Sequence, residues 1–450
     1  MKYDAIIIGS GQAGNPLAAA LTTKGWRVLL VEREHLGGTC VNTGCTPTKT
    51  LVHRALIAHH VRSAPKYGVH PGGLEIDYPV IKAQKDGVVK EWQDGVRESL
   101  EGVTVVAGPA HFTAPHEIAV GLDTYESEHI FINTGGEPII PRIAGLGSVS
   151  YLTNETILEL TEPPEHLLVL GGGYVGLEFA QMMRRFGSRV TVIHNGDRIL
   201  PREDPEISDS ISRALSGEGV DFRLNVAVTG AGSENDGLSL AFGDGRDCAG
   251  SHLLIATGRR PRTADLDLDK AGVTSRPDGS IMVNDKLETS VPGIWALGDV
   301  KGGPAFTHIS YNDFQIVYSN LVEGADLSIK NRIVPYAVYT DPEVGAVGIT
   351  ETEARKQGKQ LKVGCIPLSS VARAVENGET EGLMKVVIDA GTDQILGARI
   401  VCSGGGEIVH ALYMLMLAKA PYTLLKQAVY VHPTLTEGLF RLIESVKPVA

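Results

Sequence analysis

The sequence predicts an α/β protein with two Rossmann-like dinucleotide-binding domains and a C-terminal α+β domain. Three observations predict it. A strand, glycine turn, helix and second strand are written twice; a buried strand ending in Thr-Gly closes each copy; and the pattern changes after Val334. The expected ranges are 1–149 for the first domain, 150–266 for the second, 267–331 for a return to the first, and 332–450 for the last.

The first copy opens with the apolar strand Tyr3–Ile8, then Gly9-Ser10-Gly11-Gln12-Ala13-Gly14, a helical Leu17–Leu21, and a second strand Trp26–Val31 ending at Glu32. Gly9 permits a tight turn, Gly11 lets backbone approach a pyrophosphate, and Gly14 lets the helix pack on the strand. The helix N-terminus faces the phosphates, and Glu32 accepts hydrogen bonds from a ribose. Directly after this unit stand Cys40 and Cys45, in Gly37-Gly38-Thr39-Cys40-Val41-Asn42-Thr43-Gly44-Cys45-Thr46-Pro47-Thr48-Lys49. Thiols beside a bound redox cofactor can pass two electrons to a substrate. A zinc site is the alternative, but the sequence holds no second close cysteine pair to complete four ligands.

Val103–Phe112 and Glu117–Val120 alternate like strands of a small meander. His129–Pro138, containing Thr134 and Gly135, reads as the last strand of the first dinucleotide fold. Pro163-Pro164 marks entry to the second copy. There Leu167–Leu170 leads to Gly171-Gly172-Gly173-Tyr174-Val175-Gly176, a helix Leu177–Phe186 and the strand Arg189–Ile193. The offset from Gly9 to Glu32 equals that from Gly171 to His194. His252–Pro261, with Thr257-Gly258, closes the second copy. Two such domains imply two cofactors, one held and one exchanged. Met282–Val283 and Gly293–Asp299 return to strand character, as do Lys385–Ile388 and Ile395–Ile400 later. Ile408–Ala418 is apolar all round, so burial against another subunit is expected, with Met414 and Met416 as core filler.

Composition narrows the class. At 450 residues the chain should hold three or four domains, and 43% apolar with 21% charged residues is ordinary for a soluble protein. A net charge of −12 argues against nucleic acid and an anionic membrane as partners. No signal segment is read before the first strand, and no stretch is long enough to span a bilayer, so a cytoplasmic location is expected. Five cysteines are no disulfide framework; Cys248, Cys365 and Cys402 stand alone and read as buried structural thiols.

Cys40-x4-Cys45 with Lys49, Gly298-Asp299, and His432-Pro433-Thr434-Leu435-Thr436-Glu437 together resemble the class I pyridine nucleotide–disulfide oxidoreductases, along the whole chain. Thr46–His53 and Phe306–Asp313 look closest to the mercuric-reductase-like branch, which also contains reactive-chlorine-resistance copper reductases. The resemblance implies FAD in the first domain, NADPH or NADH in the second, and a C-terminal domain that forms a two-fold homodimer. It implies FAD contacts at Gly9, Gly11, Gly14, Glu32, Gly38, Thr39, Lys49, Ala110, Thr134, Gly135 and Asp299, with Phe306, Thr307 and His308 along the flavin edge. It places nicotinamide nucleotide at Gly171, Gly173, Tyr174, Gly176, Glu178, His194 and Gly258, with Tyr174 as a lid and Lys49–Glu178 as an ion pair. Cys45 is then the thiol nearest the flavin and Cys40 the exchanging thiol. His432, oriented by Glu437, shuttles the proton from the partner subunit. Thr434-x-x-Glu437 also fits a capping box, in which Glu437 merely caps a helix. No resident metal is expected.

At the end of the second copy's strand, His194 and Asn195 stand where an NAD-selecting carboxylate would be, which favours NADPH. The resemblance implies reduction of a metal ion or small oxidant through flavin and dithiol. The open alternatives are a low-molecular-weight disulfide reductase, a dihydrolipoamide dehydrogenase, and a non-catalytic redox-sensing flavoprotein. Mercuric reductases carry an extra C-terminal cysteine pair, which Glu444–Ala450 lacks.

Overall fold

The computed structural model describes residues 1–234 and 237–449; Asn235, Asp236 and Ala450, in the expected second and last domains, lie outside the described residues. β1 (Ala5–Ile8) and β2 (Val28–Glu32) pair in parallel across α1 (Gly14–Thr23). Ile6 and Ile7 are both fully buried, as both faces of a parallel sheet are covered, so the run is apolar without alternation. α2 (Gly38–Asn42), α3 (Cys45–Ser63) and α4 (Tyr78–Ser99) follow, and β3 (Thr104–Ala107) pairs in parallel with β2.

The expected meander is therefore corrected at its start. Only β4 (Ala110–Ala114), β5 (Glu117–Val120) and β6 (Asp123–Glu126) form it. Gly108 makes the last ladder bond, to Glu32 O, and its φ of +141° turns the chain out of the parallel sheet. β7 (Ile130–Ile132) joins the other side of β1, and β8 (Gly136–Pro138) leads away.

The second domain repeats the plan with β9 (His166–Leu170), α5 (Tyr174–Phe186), β10 (Arg189–Ile193), α6 (Pro205–Gly217) and β11 (Val220–Arg223). A three-stranded antiparallel sheet, β12 (Val228–Glu234), β13 (Gly237–Phe242) and β14 (Asp247–Gly250), precedes β15 (His252–Ile255). The parallel order is β11-β10-β9-β15, so the Thr-Gly strand is the edge here. β16 (Arg259–Pro261) pairs antiparallel with β8.

After the short α7 (Leu268–Ala271), β17 (Ile294–Ala296) returns to the first sheet, giving the order β17-β7-β1-β2-β3. β7 is therefore not the last strand of its fold, contrary to expectation: its Ile130, Phe131 and Ile132 are fully buried and need β17 as cover. Met282–Val283 forms no strand; Met282 N makes a single bond to Thr274 O before the Asn284 turn.

α8 (Thr307–Val322) leads to the C-terminal domain. Its antiparallel sheet comprises β18 (Pro335–Val338), β19 (Val344–Gly348), β20 (Leu361–Pro367), β21 (Leu383–Asp389), β22 (Ile395–Val401) and β23 (Lys447–Val449), in the order β18-β19-β22-β21-β20-β23. α9 (Glu351–Lys356), α10 (Ala372–Asn377), α11 (Gly405–Leu417) and α12 (Gly438–Glu444) complete it. In α11, Val409 and Leu412 enter the core, whereas Met414 is 58% and Leu417 51% exposed. Met414 is thus not core filler within the chain; α11 keeps an apolar stripe that its own domain leaves uncovered. Cys402 is buried and Cys248 half-buried, but Cys365 faces outward from β20, so the buried reading is corrected for it.

Two charge clusters tie the second domain to the C-terminal one. Arg185 bonds Glu218 and Asp341, at 2.6 Å each. Lys385, buried on β21, meets Asp204 at 2.9 Å, Glu351 at 2.8 Å, and Glu206. Among the described residues no helix is long and apolar enough to cross a membrane.

Candidate active site

A cavity of about 1810 Å³ runs along the carboxyl ends of both parallel sheets and reaches the first strand of the C-terminal domain. This is where ligands sit in open α/β sheets. The turn after β1 is built for close backbone approach. Gly9 has φ +103°, and a Cβ there would collide with the Asn133 carbonyl; one on Gly11 would lie 2.8 Å from Asn133 Oδ1. Asn133 in turn accepts from Gly14 N (2.9 Å) and donates to Leu297 O (2.9 Å). Glu32 accepts from Ser10 N (2.8 Å) and Ser10 Oγ (2.6 Å), holding its carboxylate at the cavity. The second copy matches it: Gly171 has φ +124°, and a Cβ would collide with the Ala256 carbonyl. Each cradle fits a dinucleotide.

Gly9, Gly11, Glu32, Gly38, Thr39, Cys40, Cys45, Lys49, Ala110, Thr134, Gly135, Gly171, Gly173, Tyr174, Glu178, His194, Gly258, Asp299, Phe306, Thr307 and His308 all line this cavity. Gly14 and Gly176 do not; a Cβ on either would strike the carbonyl of Gly9 or Gly171, so they pack helix against strand.

Cys40 and Cys45 are free thiols here. Cys45 is the first residue of α3, and Thr307 is the first residue of α8 with its Oγ1 3.2 Å from Cys45 Sγ. Two helix N-termini thus converge on one sulfur, and the partial positive charge there favours an anion. Hydrogen bonding from Cys40 holds the Cys45 thiol down, against burial and with help from Thr307 and Lys49, to about 6. Cys40 goes the other way, pushed up by its bond to Cys45 and by burial. The pair thus favours the charge on Cys45 and the proton on Cys40. Between them the turn is fastened by Asn154 Nδ2, which donates to Thr43 O at 3.1 Å.

Lys49 Nζ meets Glu178 Oε2 at 2.6 Å, joining α3 to α5. Asp299 is half-buried in the cavity wall, and desolvation there pushes its carboxyl up, while Arg259 and Lys301 oppose this. Its turn is pinned by Asp313, which accepts from Gly298 N (2.8 Å) and pairs with Lys301 (3.0 Å) and Arg332 (2.6 Å). Phe306 stacks between His308 and Tyr336, 5.4 Å from each, and Tyr174 lies 6.1 Å from it. His194 Nδ1 accepts from Gly172 N at 3.4 Å; its buried Nε2 lacks a partner among the described residues. Arg198 leans toward Asp197 at 3.9 Å and does not line the cavity.

His432 and Glu437 lie outside this cavity in the single chain. Glu437 Oε2 is 2.9 Å from His432 Nδ1, and the imidazole is 66% exposed. Thr434 Oγ1 does accept from Glu437 N (3.2 Å), yet the Glu437 carboxylate faces the histidine. Asn133, Asn154, Asp313 and Tyr339 were missed by sequence reasoning. Asn133 lies within the His129–Pro138 strand and Asp313 within Phe306–Asp313; the other two carried no local signal.

The family model for pyridine nucleotide-disulphide oxidoreductases matches residues 3–313, and the dimerisation domain of the same family matches 334–442. The chain is 37% identical to the probable pyridine nucleotide-disulfide oxidoreductase RclA of Escherichia coli (strain K12), covering 99% of this chain and 100% of that one. It is 38% identical to dihydrolipoyl dehydrogenase of Thermus scotoductus (99% and 97% covered) and 34% identical to a mercuric reductase of Lysinibacillus sphaericus (97% and 81% covered). Among solved structures, a Cu(II) complex of the HOCl-induced flavoprotein disulfide reductase RclA from Escherichia coli superposes with a TM-score of 0.91 at 35% identity, covering 99% of each chain.

Proposed function

Because the chain belongs to the pyridine nucleotide-disulphide oxidoreductases, and is an FAD-dependent NAD(P)H enzyme with a disulfide redox centre, we propose that it reduces a thiophilic metal ion or a small oxidant through Cys40 and Cys45. FAD held by the Gly9–Gly11 turn, Glu32 and Asp299 would supply the hydride-accepting chemistry beside the two sulfurs. Two electrons and one proton open the Cys40–Cys45 disulfide to a thiolate on Cys45 and a thiol on Cys40. Cys40 then exchanges with the oxidant, and the two electrons leave as the disulfide closes. A two-electron oxidant takes one such cycle; a one-electron ion such as Cu(II) requires two ions per cycle. The observation that carries this reading is the Thr307–Cys45–Cys40 arrangement at the cavity wall, where the first residues of α3 and α8 meet at Cys45 Sγ.

The dimerisation domain supports a homodimer. In our reading His432 of one protomer, oriented by Glu437, serves the Cys40 proton of the other, since the pair stands outside its own chain's cavity. NADPH is favoured because His194 supplies no negative charge against a 2′-phosphate and leaves a buried Nε2 without a partner among the described residues. The test is steady-state oxidation of NADPH and NADH with Cu(II), Hg(II), oxidised glutathione and lipoamide. Cys40→Ala should abolish the preferred reaction and spare slow quinone or oxygen reduction. Equal turnover of the preferred oxidant by that variant contradicts the proposal.

A further inference from the structure

We propose that Tyr339 is a positioning residue of the redox centre: its ring holds the Lys49 ammonium and its backbone seats Glu178, so the C-terminal domain fixes the charge beside Cys45. The inference rests on the dithiol reading above.

Three parts of the chain meet at this one ion pair. Lys49 comes from α3, Glu178 from α5, and Tyr339 from the residue after β18. Lys49 Nζ lies 2.6 Å from Glu178 Oε2 and 4.6 Å from the centroid of the Tyr339 ring. Tyr339 N donates to the other oxygen, Oε1, at 2.9 Å. Both oxygens of a carboxylate only 3% exposed therefore have a donor, while the Lys49 side chain is 31% exposed. An ammonium on a four-carbon stem is mobile and strongly hydrated. The aromatic face replaces part of that hydration and limits where the charge can go.

The neighbouring charges make this position matter. Cys45 is faced by Cys40, Thr307, Lys49 and Glu178, and Tyr339 by Glu343, Cys45, Glu178 and Glu407. Of these groups Lys49 is the only cation. Burial pushes the Tyr339 phenol up, so the ring stays neutral across the working range and its face remains available to the ammonium. Loss of the ring lets Lys49 swing toward water and weakens its hold on the Cys45 thiolate, without touching either sulfur.

The test uses the holoenzyme, reduced anaerobically with one equivalent of NADPH. The readout is the pH midpoint of the long-wavelength absorbance that a thiolate beside a flavin produces. Tyr339→Phe keeps the ring and should overlay the parent. Tyr339→Leu should raise the midpoint by roughly half to one unit, a three- to tenfold loss of thiolate below it. A Leu variant that overlays the parent overturns the proposal, as does a Phe variant shifted equally. Should the Leu variant fail to retain flavin, Tyr339→Trp substitutes: its midpoint should fall at or below the parent's, and a rise overturns the proposal. Absence of the band in the parent instead sinks the dithiol reading itself, which separates the two failures.

Discussion

Replacing Thr307 by Val removes one hydroxyl from the first turn of α8 and leaves the shape nearly unchanged. The lost contact is the 3.2 Å bond to Cys45 Sγ. A hydrogen bond to a charged group is worth about 1.5–3 kcal/mol, which is about one to two pKa units. Cys45 is open to the cavity in the single chain, so solvent takes up part of the loss and about one unit is expected. The thiol should therefore move from about 6 to roughly 7. The sign follows from a depressed thiol: the anion exists above the folded value and is lost as pH falls through it. At pH 6.5 the thiolate share then drops from about three quarters to about one quarter. The assay is anaerobic two-electron reduction followed by a pH titration of the thiolate absorbance, with Thr307→Ser as the variant that restores the hydroxyl. A Val midpoint within about 0.3 unit of the parent would refute the role given to Thr307.

Other consequences are as direct. Lys385→Met leaves Asp204, Glu206 and Glu351 without their shared cation and should cost about 3–5 kcal/mol at neutral pH in urea unfolding. Burial works against ionisation of Asp204 and Glu351, but Lys385 holds both below their usual range. The stabilisation is therefore present above the ordinary carboxylate range and lost as pH falls through those depressed values, so the deficit of the variant should hold down to about pH 4.5 and shrink below it. Mixing Cys45→Ser and His432→Ala subunits should restore about a quarter of parental activity, because random pairing gives hybrids with one intact site. Hybrids as inactive as their parents would place His432 in a site of its own chain.

The legible part of this molecule was local. The glycine turns, the strands on either side of them and the cysteine spacing each fit within some thirty residues, and the duplicated offset made them mutually supporting. What escaped was set by distant chain. β3 read as part of a meander because, at the edge of its sheet, it is mostly exposed and lacks the apolar run of β1 and β2. β17 crosses from beyond the whole second domain to cover β7, and no periodicity announces that. Thr307 stood in a motif assigned to the flavin edge, yet its bond to a sulfur 262 positions away appears only in three dimensions. Tyr339 acts through its backbone N–H and its ring face, and Asn154 through an amide that reaches a carbonyl 111 positions away, neither of which leaves a residue pattern.

The central claim is that electrons entering from the nicotinamide nucleotide come to rest on Cys40 and Cys45. Oxidised enzyme, treated without oxygen with one equivalent of NADPH and then iodoacetamide, should carry alkyl groups on both cysteines of the 40–49 segment and no new ones on Cys248, Cys365 or Cys402. Full flavin reduction with neither Cys40 nor Cys45 becoming alkylated would contradict it.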